Sequence, residues 1–375
     1  MNWKSLPLTK LLLLPSSGLV VCAALTSVVF GGATNSAKSE LAIDTNWADN
    51  TLSILNLQTG TEKTRIEVGA KPYDVKVDKL GRFAYTSLSG ARQIAVVDLQ
   101  ANLAADKITV GESPRDMVFN NDFSQLVVTN SGSNSISIVD VKTKKELAQI
   151  AVGLVPYGVA LADNDQTAIV SNWGEGTISF VDLKAQKEVK RVSVGHLPYT
   201  VTVMKDRSLA FTAVFGDDKV AVLDIKTQSL IREIPVGKSP WGISASESRV
   251  AVANFYSGSV SIIDLSDPKA DGGYSVKTYE FRGKKPGAHI EPSPQANKPT
   301  DTTRTAAIDE IGGVDRAKHV ALSADGMLLF TDLASNTVNL FNLNSNEFIT
   351  SIPVGHAPYG IDFLPMTASK VTSNQ

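Results

Sequence analysis

The sequence predicts an all-β fold, namely a seven-bladed β-propeller with four strands in each blade. Three observations lead to this prediction: a unit that recurs every 42 residues, β-rich runs separated by turn residues inside each unit, and two incomplete units at the ends of the repeat region. Four short strands in about 42 residues fit one propeller blade.

The repeat is marked by a Val-Gly pair with a proline three residues after the glycine. Five of these glycines are spaced 42 residues apart: Gly69, Gly111, Gly153, Gly195 and Gly237. The next copy begins at Gly355, 118 residues later, which corresponds to two repeats and 34 additional residues. A second marker, two apolar residues followed by Asp or Asn, occurs seven times between ILN at Ile54 and LFN at Leu340. The sequence therefore contains seven units.

Each unit reads as four strands. In the third unit the runs YGVALA, TAIVSN, TISFVD and VKRVSV are rich in Val, Ile and Thr, and residues such as Gly, Asn and Asp separate them. This composition and these boundaries are typical of strands joined by turns. The spacing of apolar residues does not follow the helical period.

The two ends of the repeat region complete one blade. Residues 41–68 supply three strands (LAIDT, TLSILN and KTRIEV) and lack a first strand, whereas YGIDFLP at the other end supplies only a first strand. We therefore predict that Leu41–Val68 pairs with Tyr359–Pro365 and closes the ring, which removes exposed sheet edges. Blades 1–5 begin at the five evenly spaced glycines, blade 6 begins near Lys318, and blade 7 is shared by the two ends.

Two stretches, VTNSGSNSISIVDVKT and VSNWGEGTISFVDLKAQ, each preceded by VGxxPxG-like text, resemble the YVTN-type (YncE-like) β-propeller repeat. The resemblance extends from Leu41 to Pro365. It implies a seven-bladed propeller and an exported bacterial protein of the periplasm or cell surface. Some members bind ligands, one branch contacts single-stranded DNA, and related seven-bladed folds include lactonases and dehydrogenase subunits. The resemblance thus implies the architecture and leaves the function open.

The first 37 residues have the composition of a cleaved signal peptide. Lys4 and Lys10 precede the apolar run LLLLPSSGLVVCAALTSVVF, and small residues follow it with plausible cleavage after Ala33 or Ala37. The length of the apolar run leaves an uncleaved anchor as an alternative. We expect residues 1–37 to be the signal peptide, 38–366 the propeller and 367–375 a tail, in a periplasmic or otherwise extracytoplasmic protein.

Composition excludes several kinds of site. Cys22 is the only cysteine, so the mature chain could hold no disulfide, catalytic thiol, Cys-ligated zinc or CxxCH haem. Without residues 1–37 the chain has 34 basic and 38 acidic residues, a balance that gives no general attraction to duplex DNA or anionic membranes. We expect a monomer that does not span a membrane, carries no cofactor and binds an unidentified small molecule or protein. Single-stranded nucleic acid is a further option.

Unusual residues converge on one face of the predicted propeller, where the loop leading into each inner strand meets the loop between strands two and three. The residue after each repeat proline forms a first ring of Tyr73, Arg115, Tyr157, Tyr199, Trp241, Lys318 and Tyr359, with Lys318 aligned through the following Val-Ala-Leu. The second loop adds a ring of Trp47, Ser89, Ser131, Trp173, Phe215, Phe255 and Leu333, with Tyr256 beside it.

These two rings predict a ligand-binding mouth. They contain every tryptophan outside the signal peptide, and aromatic faces stack on planar groups. Arg115 and Lys318 could pair with a carboxylate or phosphate. We predict that Tyr73, Arg115, Tyr157, Tyr199, Trp241, Lys318, Tyr359, Trp47, Trp173 and Phe255 contact the ligand. The alternative is that these aromatics only pack between blades and under loops.

Two further features belong to the same face. Asn46, Asn130, Asn172 and Asn254 precede second-ring residues and are interpreted as turn-stabilising side chains. The additional residues, rich in Pro, Thr and Gly, are predicted to cover the mouth as an inserted loop, 284–317.

Catalysis is the competing hypothesis, and a structural envelope component is a third. A hydrolase or lyase of the lactonase type would need polar groups near the channel, for which the candidates are Asp74, Asp116, His319 and Asp332. A metal site is not predicted; its weak candidates are His319, His356 and His289, while His196 lies nearly opposite His356 in the ring. No catalytic residue is assigned, and binding is favoured over enzymatic activity.

Overall fold

The computed structural model describes residues 40–246, 248–268, 273–281, 283–294 and 316–365. The predicted signal peptide and the tail at 367–375 lie outside the described residues. The described chain consists of 29 strands and two single-turn 3-10 helices, Lys205–Arg207 and Phe215–Asp217. No helix in these ranges has the length and apolar character needed to cross a membrane.

The strands form seven antiparallel sheets in chain order. Blade 7 contains β1 (Leu41–Asn46), β2 (Thr51–Asn56) and β3 (Thr61–Glu67). Blade 1 contains β4 (Pro72–Val77), β5 (Phe83–Leu88), β6 (Gln93–Asp98) and β7 (Leu103–Thr109). Blade 2 contains β8 (Pro114–Phe119), β9 (Gln125–Asn130), β10 (Ser135–Asp140) and β11 (Lys145–Ala151). Blade 3 contains β12 (Pro156–Ala162), β13 (Thr167–Asn172), β14 (Thr177–Asp182) and β15 (Lys187–Ser193).

The remaining strands complete the ring. Blade 4 contains β16 (Pro198–Met204), β17 (Leu209–Val214), β18 (Lys219–Asp224) and β19 (Ser229–Pro235). Blade 5 contains β20 (Pro240–Ser246), β21 (Arg249–Asn254), β22 (Ser259–Pro268), β23 (Tyr274–Glu280) and the short β24 (Ser293–Pro294). Blade 6 contains β25 (Ala317–Leu322), β26 (Met327–Asp332), β27 (Thr337–Asn342) and β28 (Glu347–Pro353). The last strand, β29 (Pro358–Phe363), is the inner strand of blade 7.

The predicted ring closure is confirmed. Strand β29 pairs antiparallel with β1, with Ala42 opposite Phe363 and Ile43 opposite Asp362. The inner strands contact one another around the whole ring, including β25 with β29 and β29 with β4. The seven-bladed, all-β fold class predicted from the 42-residue repeat is therefore correct.

The hydrophobic core is divided among the interfaces between blades. At the interface of blades 1 and 2, for example, Ile94 and Val96 pack with Met117, Leu126 and Val128. Each inner or middle strand faces a neighbour on both sides, which explains why its sequence contains continuous apolar runs instead of a strict alternation. The core therefore encircles the central axis.

A repeated hydrogen bond joins neighbouring blades near the axis. A hydroxyl on the second strand accepts the N–H of an inner-strand residue of its own blade and donates to a first-ring carbonyl in the next blade. In blade 2, Thr129 Oγ1 accepts from Asp116 N at 3.1 Å and donates to Tyr157 O at 2.7 Å. The corresponding bonds to a first-ring carbonyl of the next blade are donated by the hydroxyls of Thr45, Ser87, Ser171 and Thr331. These hydroxyls hold the first-ring residues in register.

Residues 287–294 of the inserted segment lie on the outer side of the ring. Gly287 and Ile290 donate backbone N–H groups to Phe348 O and Asn346 O, at 2.7 and 2.8 Å. Strand β24 then pairs with β23. Residues 287–294 thus run along the outer strands of blades 5 and 6 and do not cover the mouth. Residues 295–315 lie outside the described residues, so cover by that part of 284–317 stays a prediction.

Candidate ligand-binding mouth and central channel

The two loops that carry the rings are joined by the same backbone hydrogen bond in all seven blades. The N–H of each second-ring residue donates to the carbonyl two residues before the first-ring residue, as in Trp47 to Ala357 at 3.0 Å and Ser89 to Lys71 at 2.9 Å. In blade 6, Leu333 donates to Arg316 O at 3.1 Å. Ala317 therefore occupies the position of the repeat proline, and Lys318 occupies the first-ring position.

The four repeat asparagines stabilise these loops. Each side-chain amide donates to two hydroxyls across its own turn; Asn130 Nδ2, for example, lies 3.2 Å from Ser135 Oγ and 2.7 Å from Ser137 Oγ. The repeat glycine packs directly on this amide, since a Cβ at Gly111 would lie 2.5 Å from Asn130 Cγ. Residue pairs of this kind explain the Val-Gly and Asn positions of the repeat without a ligand.

The first-ring side chains turn towards the axis and pack on one another. Tyr199 stacks on Trp241 with ring centroids 3.9 Å apart, and Tyr73 contacts Tyr157 at 6.2 Å and Tyr359 at 5.1 Å. Tyr73, Tyr199, Trp241 and Phe255 are only 1–4 % exposed. These four form the buried layer of the mouth and close the channel on that face. The geometry of these four side chains therefore agrees with the alternative that the aromatics pack between blades and under loops.

A second set of aromatic side chains remains half-buried above this layer. The set comprises Trp47, Tyr157, Trp173, Phe215, Tyr256 and Tyr359. Trp47 stacks on Tyr359 with centroids 5.8 Å apart, and Trp173 lies 5.8 Å from Tyr157. Trp173 Nε1 has no hydrogen-bond partner in the described chain. These six aromatic residues, together with the cationic side chains of Arg115 and Lys71, form the accessible mouth.

Cationic side chains lie over the ring faces. The Arg115 guanidinium is 4.7 Å from the Tyr73 centroid and 5.0 Å from that of Tyr157, and exposed Lys71 lies 4.6 Å from Trp47. Lys318 is deeper, with Nζ 2.9 Å from the Tyr359 centroid and 4.2 Å from Trp241. Burial lowers the pKa of Lys318 well below its ordinary value, and Arg115 and Arg316 add to this effect.

A polar cavity of about 240 Å³ lies in the channel beneath the buried aromatic layer. Its charged wall comes from blades 1, 2 and 7: Asp74, Lys76, Asp116 and Asp362. The rest of its wall contains His319, Thr200, Thr202, Ser244 and the small residues Ala160 and Ala321. Alternate residues of an inner strand face the axis, so each blade supplies two positions to this lining.

Burial alters the titration of these groups. It raises the pKa of Asp116 to about 8, an effect that neighbouring Asp74 increases, and it raises the pKa of Asp362 to about 6. Burial opposes ionisation of Lys76, but Asp74, Asp116 and Asp362 prevail and raise its pKa. Burial also lowers the pKa of His319 to about 3, which keeps the imidazole neutral at ordinary pH.

Of the four residues considered as candidates for catalysis, the structure brings three together. Asp74, Asp116 and His319 line the same cavity, whereas Asp332 bonds to the backbone of Arg316 and Ala334 in a mouth loop. Sequence reasoning missed Lys76 and Asp362. Lys76 lies two residues after Asp74, and Asp362 lies two residues after Gly360, which is the equivalent position in blade 7. The alternation of side chains along an inner strand would have predicted both.

The histidines that were weak metal candidates do not come together. His356 pairs with Asp49 on the surface, His289 pairs with Glu291 and forms a backbone β-bridge with Glu347 of blade 6, and His319 is in the channel. His196 is also exposed and pairs with Asp217. Within the described ranges, no three His, Cys, Asp or Glu side chains are arranged to hold a metal ion.

Comparisons with known proteins agree on the architecture. The family described as YNCE-like beta-propeller matches residues 84–251. A functionally unknown protein from Desulfotomaculum acetoxidans is 14 % identical with a TM-score of 0.66, covering 86 % of this chain and 98 % of its own. Hydrazine synthase from Kuenenia stuttgartiensis is 16 % identical with a TM-score of 0.58, covering 77 % and 88 %. U3-55K is 13 % identical with a TM-score of 0.60, covering 76 % and 84 %. At these identities the likeness shows the fold alone, and no curated protein matches the sequence.

Proposed function

Since this chain is a seven-bladed β-propeller whose YncE-like resemblance holds over residues 84–251, we propose that it is an extracytoplasmic binding protein for a small planar anion. The ligand binds at the accessible mouth. One observation supports this most strongly. Arg115 and Lys71 lie over aromatic ring faces, and neither forms a salt bridge with a carboxylate among the described residues.

The half-buried aromatics account for the planar part of the ligand. Tyr157, Trp173, Trp47 and Tyr359 keep part of their surface accessible while their neighbours fix their orientation. Stacking of a planar ring on such a side chain contributes roughly 1–3 kcal/mol. A preorganised aromatic surface loses little conformational entropy on binding, which favours affinity.

The cations account for the acidic part. Arg115 donates from Nε to Ser131 Oγ at 3.2 Å, which orients the guanidinium and leaves its other N–H groups to meet a carboxylate or phosphate. Lys71 is exposed and free to follow the ligand. Burial lowers the pKa of Lys318 beneath them, and an anion bound above would favour the protonated state of this lysine.

A fluorescence titration tests the proposal. We expect 2-naphthoate to quench the mouth tryptophans saturably, and neutral 2-naphthamide to bind at least tenfold more weakly. Trp173→Ala and Arg115→Gln should each weaken 2-naphthoate binding at least fivefold. The matched control is Arg82→Gln, because Arg82 is exposed, pairs with Asp78 and lies in the turn between β4 and β5, at the opposite end of the strands from the mouth loops. Equal binding of the acid and amide, or unchanged binding by both mouth variants, would contradict the proposal. Tight binding of single-stranded hexathymidylate with weak naphthoate binding would indicate the nucleic-acid option instead.

Export is part of the same proposal and has its own measurement. The positive and apolar composition of the first 37 residues supports cleavage near Ala33–Ala37. Mass spectrometry of the protein from its native cell should show a mature chain that begins within a few residues of Ser36. A membrane-bound species that retains Cys22 would show an anchor and would contradict cleavage.

A further inference from the structure

We propose that the channel cavity beneath the mouth is a second binding site, which takes a small organic cation bearing a primary ammonium group. The cavity is independent of the proposed mouth site, because the buried layer of Tyr73, Tyr199, Trp241 and Phe255 separates the two. Its volume of about 240 Å³ greatly exceeds the roughly 15 Å³ needed to hold one water.

The charge of the lining favours a cation. Three carboxyl groups, those of Asp74, Asp116 and Asp362, face the cavity, while Lys76 is the one cationic side chain of the described lining. Lys76 Nζ lies 3.0 Å from Asp74 Oδ1, so it is engaged at one end of the acidic wall. An ammonium group with three N–H donors would neutralise the carboxylate of Asp362 and would favour the ionised form of Asp116, whose pKa burial raises.

The acidic wall retains acceptor capacity towards the cavity. Asp116 Oδ1 and Oδ2 accept one backbone N–H each, from Met117 at 3.0 Å and Val159 at 2.9 Å. Asp362 Oδ1 accepts from Phe363 N at 2.9 Å. Every carboxylate oxygen offers two lone pairs. The backbone hydrogen bonds therefore hold the carboxyl groups in place and leave lone pairs available to accept from a ligand.

A buried imidazole beside the acidic wall supplies an independent observation. His319 is 9 % exposed and lines the cavity, and its Nε2 has no hydrogen-bond partner among the described residues. A buried polar nitrogen without a partner is costly unless a ligand or water satisfies it. Because the imidazole stays neutral, one ring nitrogen is an acceptor that a bound ammonium compound can use directly or through water.

The remaining wall limits the size of the ligand. Blades 3–6 contribute small side chains and hydroxyl groups to it, including Ala160, Thr202 and Ser244. No Phe, Tyr or Trp belongs to the described cavity lining. A short amino alcohol matches this arrangement, since its ammonium end faces blades 1, 2 and 7 and its hydroxyl end faces the hydroxyl-bearing wall.

Isothermal titration calorimetry with ethanolamine tests the site, and ethylene glycol is the neutral comparison. We expect saturable binding of ethanolamine to the full propeller and no measurable binding of the glycol. Asp362→Asn and Asp116→Asn should each weaken ethanolamine binding at least tenfold. Asp332→Asn is the matched control, because Asp332 lies outside the cavity, and it should bind as the wild type does.

Two outcomes would overturn the proposal: equal binding of ethanolamine and glycol, or unchanged ethanolamine binding in both cavity variants. If Asp116→Asn does not fold, Asp362→Asn alone is compared with the wild type. As a second measurement, added ethanolamine should raise the melting temperature of the wild type and not that of the variant. Arg115→Gln should leave ethanolamine binding unchanged, so failure of the mouth site and failure of the channel site are distinguishable.

Discussion

Gly360 donates its backbone N–H to Thr45 Oγ1 at 2.8 Å, although the two residues are 315 positions apart. The same hydroxyl donates to Tyr73 O at 3.2 Å in blade 1. One threonine thus links the last inner strand, the first strand of the described chain and the neighbouring blade. Closure of the ring depends on contacts of this kind and on the pairing of β1 with β29.

Deleting residues 355–375 should destabilise the whole propeller. The deletion removes the inner strand of blade 7, exposes the edge of β1, and uncovers the cores that blade 7 shares with blades 6 and 1. We expect a lower urea midpoint and a broader transition by circular dichroism. A truncated protein with an unchanged midpoint and cooperativity would contradict closure by β29.

Thr45→Val should reduce the free energy of unfolding by about 1–3 kcal/mol, because it leaves the Gly360 N–H and the Tyr73 carbonyl without their buried partner. Thr109→Val is the control, since Thr109 is exposed on an outer strand. Urea denaturation of both variants provides the comparison. An equal decrease in the free energy of unfolding of the two variants would contradict a special role of the Thr45 hydroxyl.

Asp44→Val should stabilise the protein by about 1–3 kcal/mol at neutral pH. Asp44 is fully buried, its carboxyl oxygens have no hydrogen-bond partner of good geometry among the described residues, and Val128, Val170 and Val252 occupy the equivalent position in other blades. Burial raises the pKa of Asp44 well above its ordinary value, and Glu62 adds to this.

The sign of the pH effect follows from that shift. Above pH 3.8 the unfolded carboxyl loses its proton while the folded one keeps it, so increasing pH favours the unfolded wild type. The gain from Asp44→Val should accordingly be larger at pH 7 than at pH 4 in urea denaturation. Asp44→Asn should remove the pH dependence with a smaller gain, and a loss of stability in Asp44→Val would refute the argument.

Trp241→Ala and Trp173→Ala should differ in their effect on stability. Trp241 is 4 % exposed and stacks on Tyr199, so its truncation should cost about 3–5 kcal/mol. Half-buried Trp173 should cost markedly less, because water already reaches part of its ring. Differential scanning calorimetry measures both. Similar losses would show that Trp173 is a packing residue and would weaken its assignment to a binding surface.

Asp116→Asn should make the stability of the protein less dependent on pH between about 4 and 8. Burial and Asp74 raise the pKa of Asp116 to about 8, against opposing contributions from Lys76 and the Val159 N–H. The folded state thus holds a proton that the unfolded state has lost above pH 3.8, and wild-type stability should decrease as the pH rises through this window. Parallel pH profiles of the two proteins by urea denaturation would contradict the shift.

The repeat spacing was sufficient to predict the blade number, the strand content and the closure, because each 42-residue unit contains its own strand and turn pattern. The alignment of Lys318 by its following Val-Ala-Leu agrees with the pairing of Ala317 opposite Asp332. Register within one blade is a local property, and the sequence contains it.

The packing at the axis could not be predicted in the same way. Whether Trp241 and Tyr199 point towards solvent or stack on each other depends on the distance between blades 4 and 5, which no single repeat contains. The outward course of residues 287–294 along β28 likewise depends on pairing with a strand that comes about 60 residues later in the chain. The sequence therefore predicted the face of the propeller on which these side chains lie, but not how deeply each of them is buried.

Closure by β29 has a consequence for synthesis of the protein. The inner strand of blade 7 leaves the ribosome after the other 28 strands, so β1 has an open edge for almost the entire period of translation. Non-local strand pairing of this kind slows folding and prolongs exposure to aggregation. The nascent chain should therefore need a chaperone, or delayed folding, until its final described strand is available.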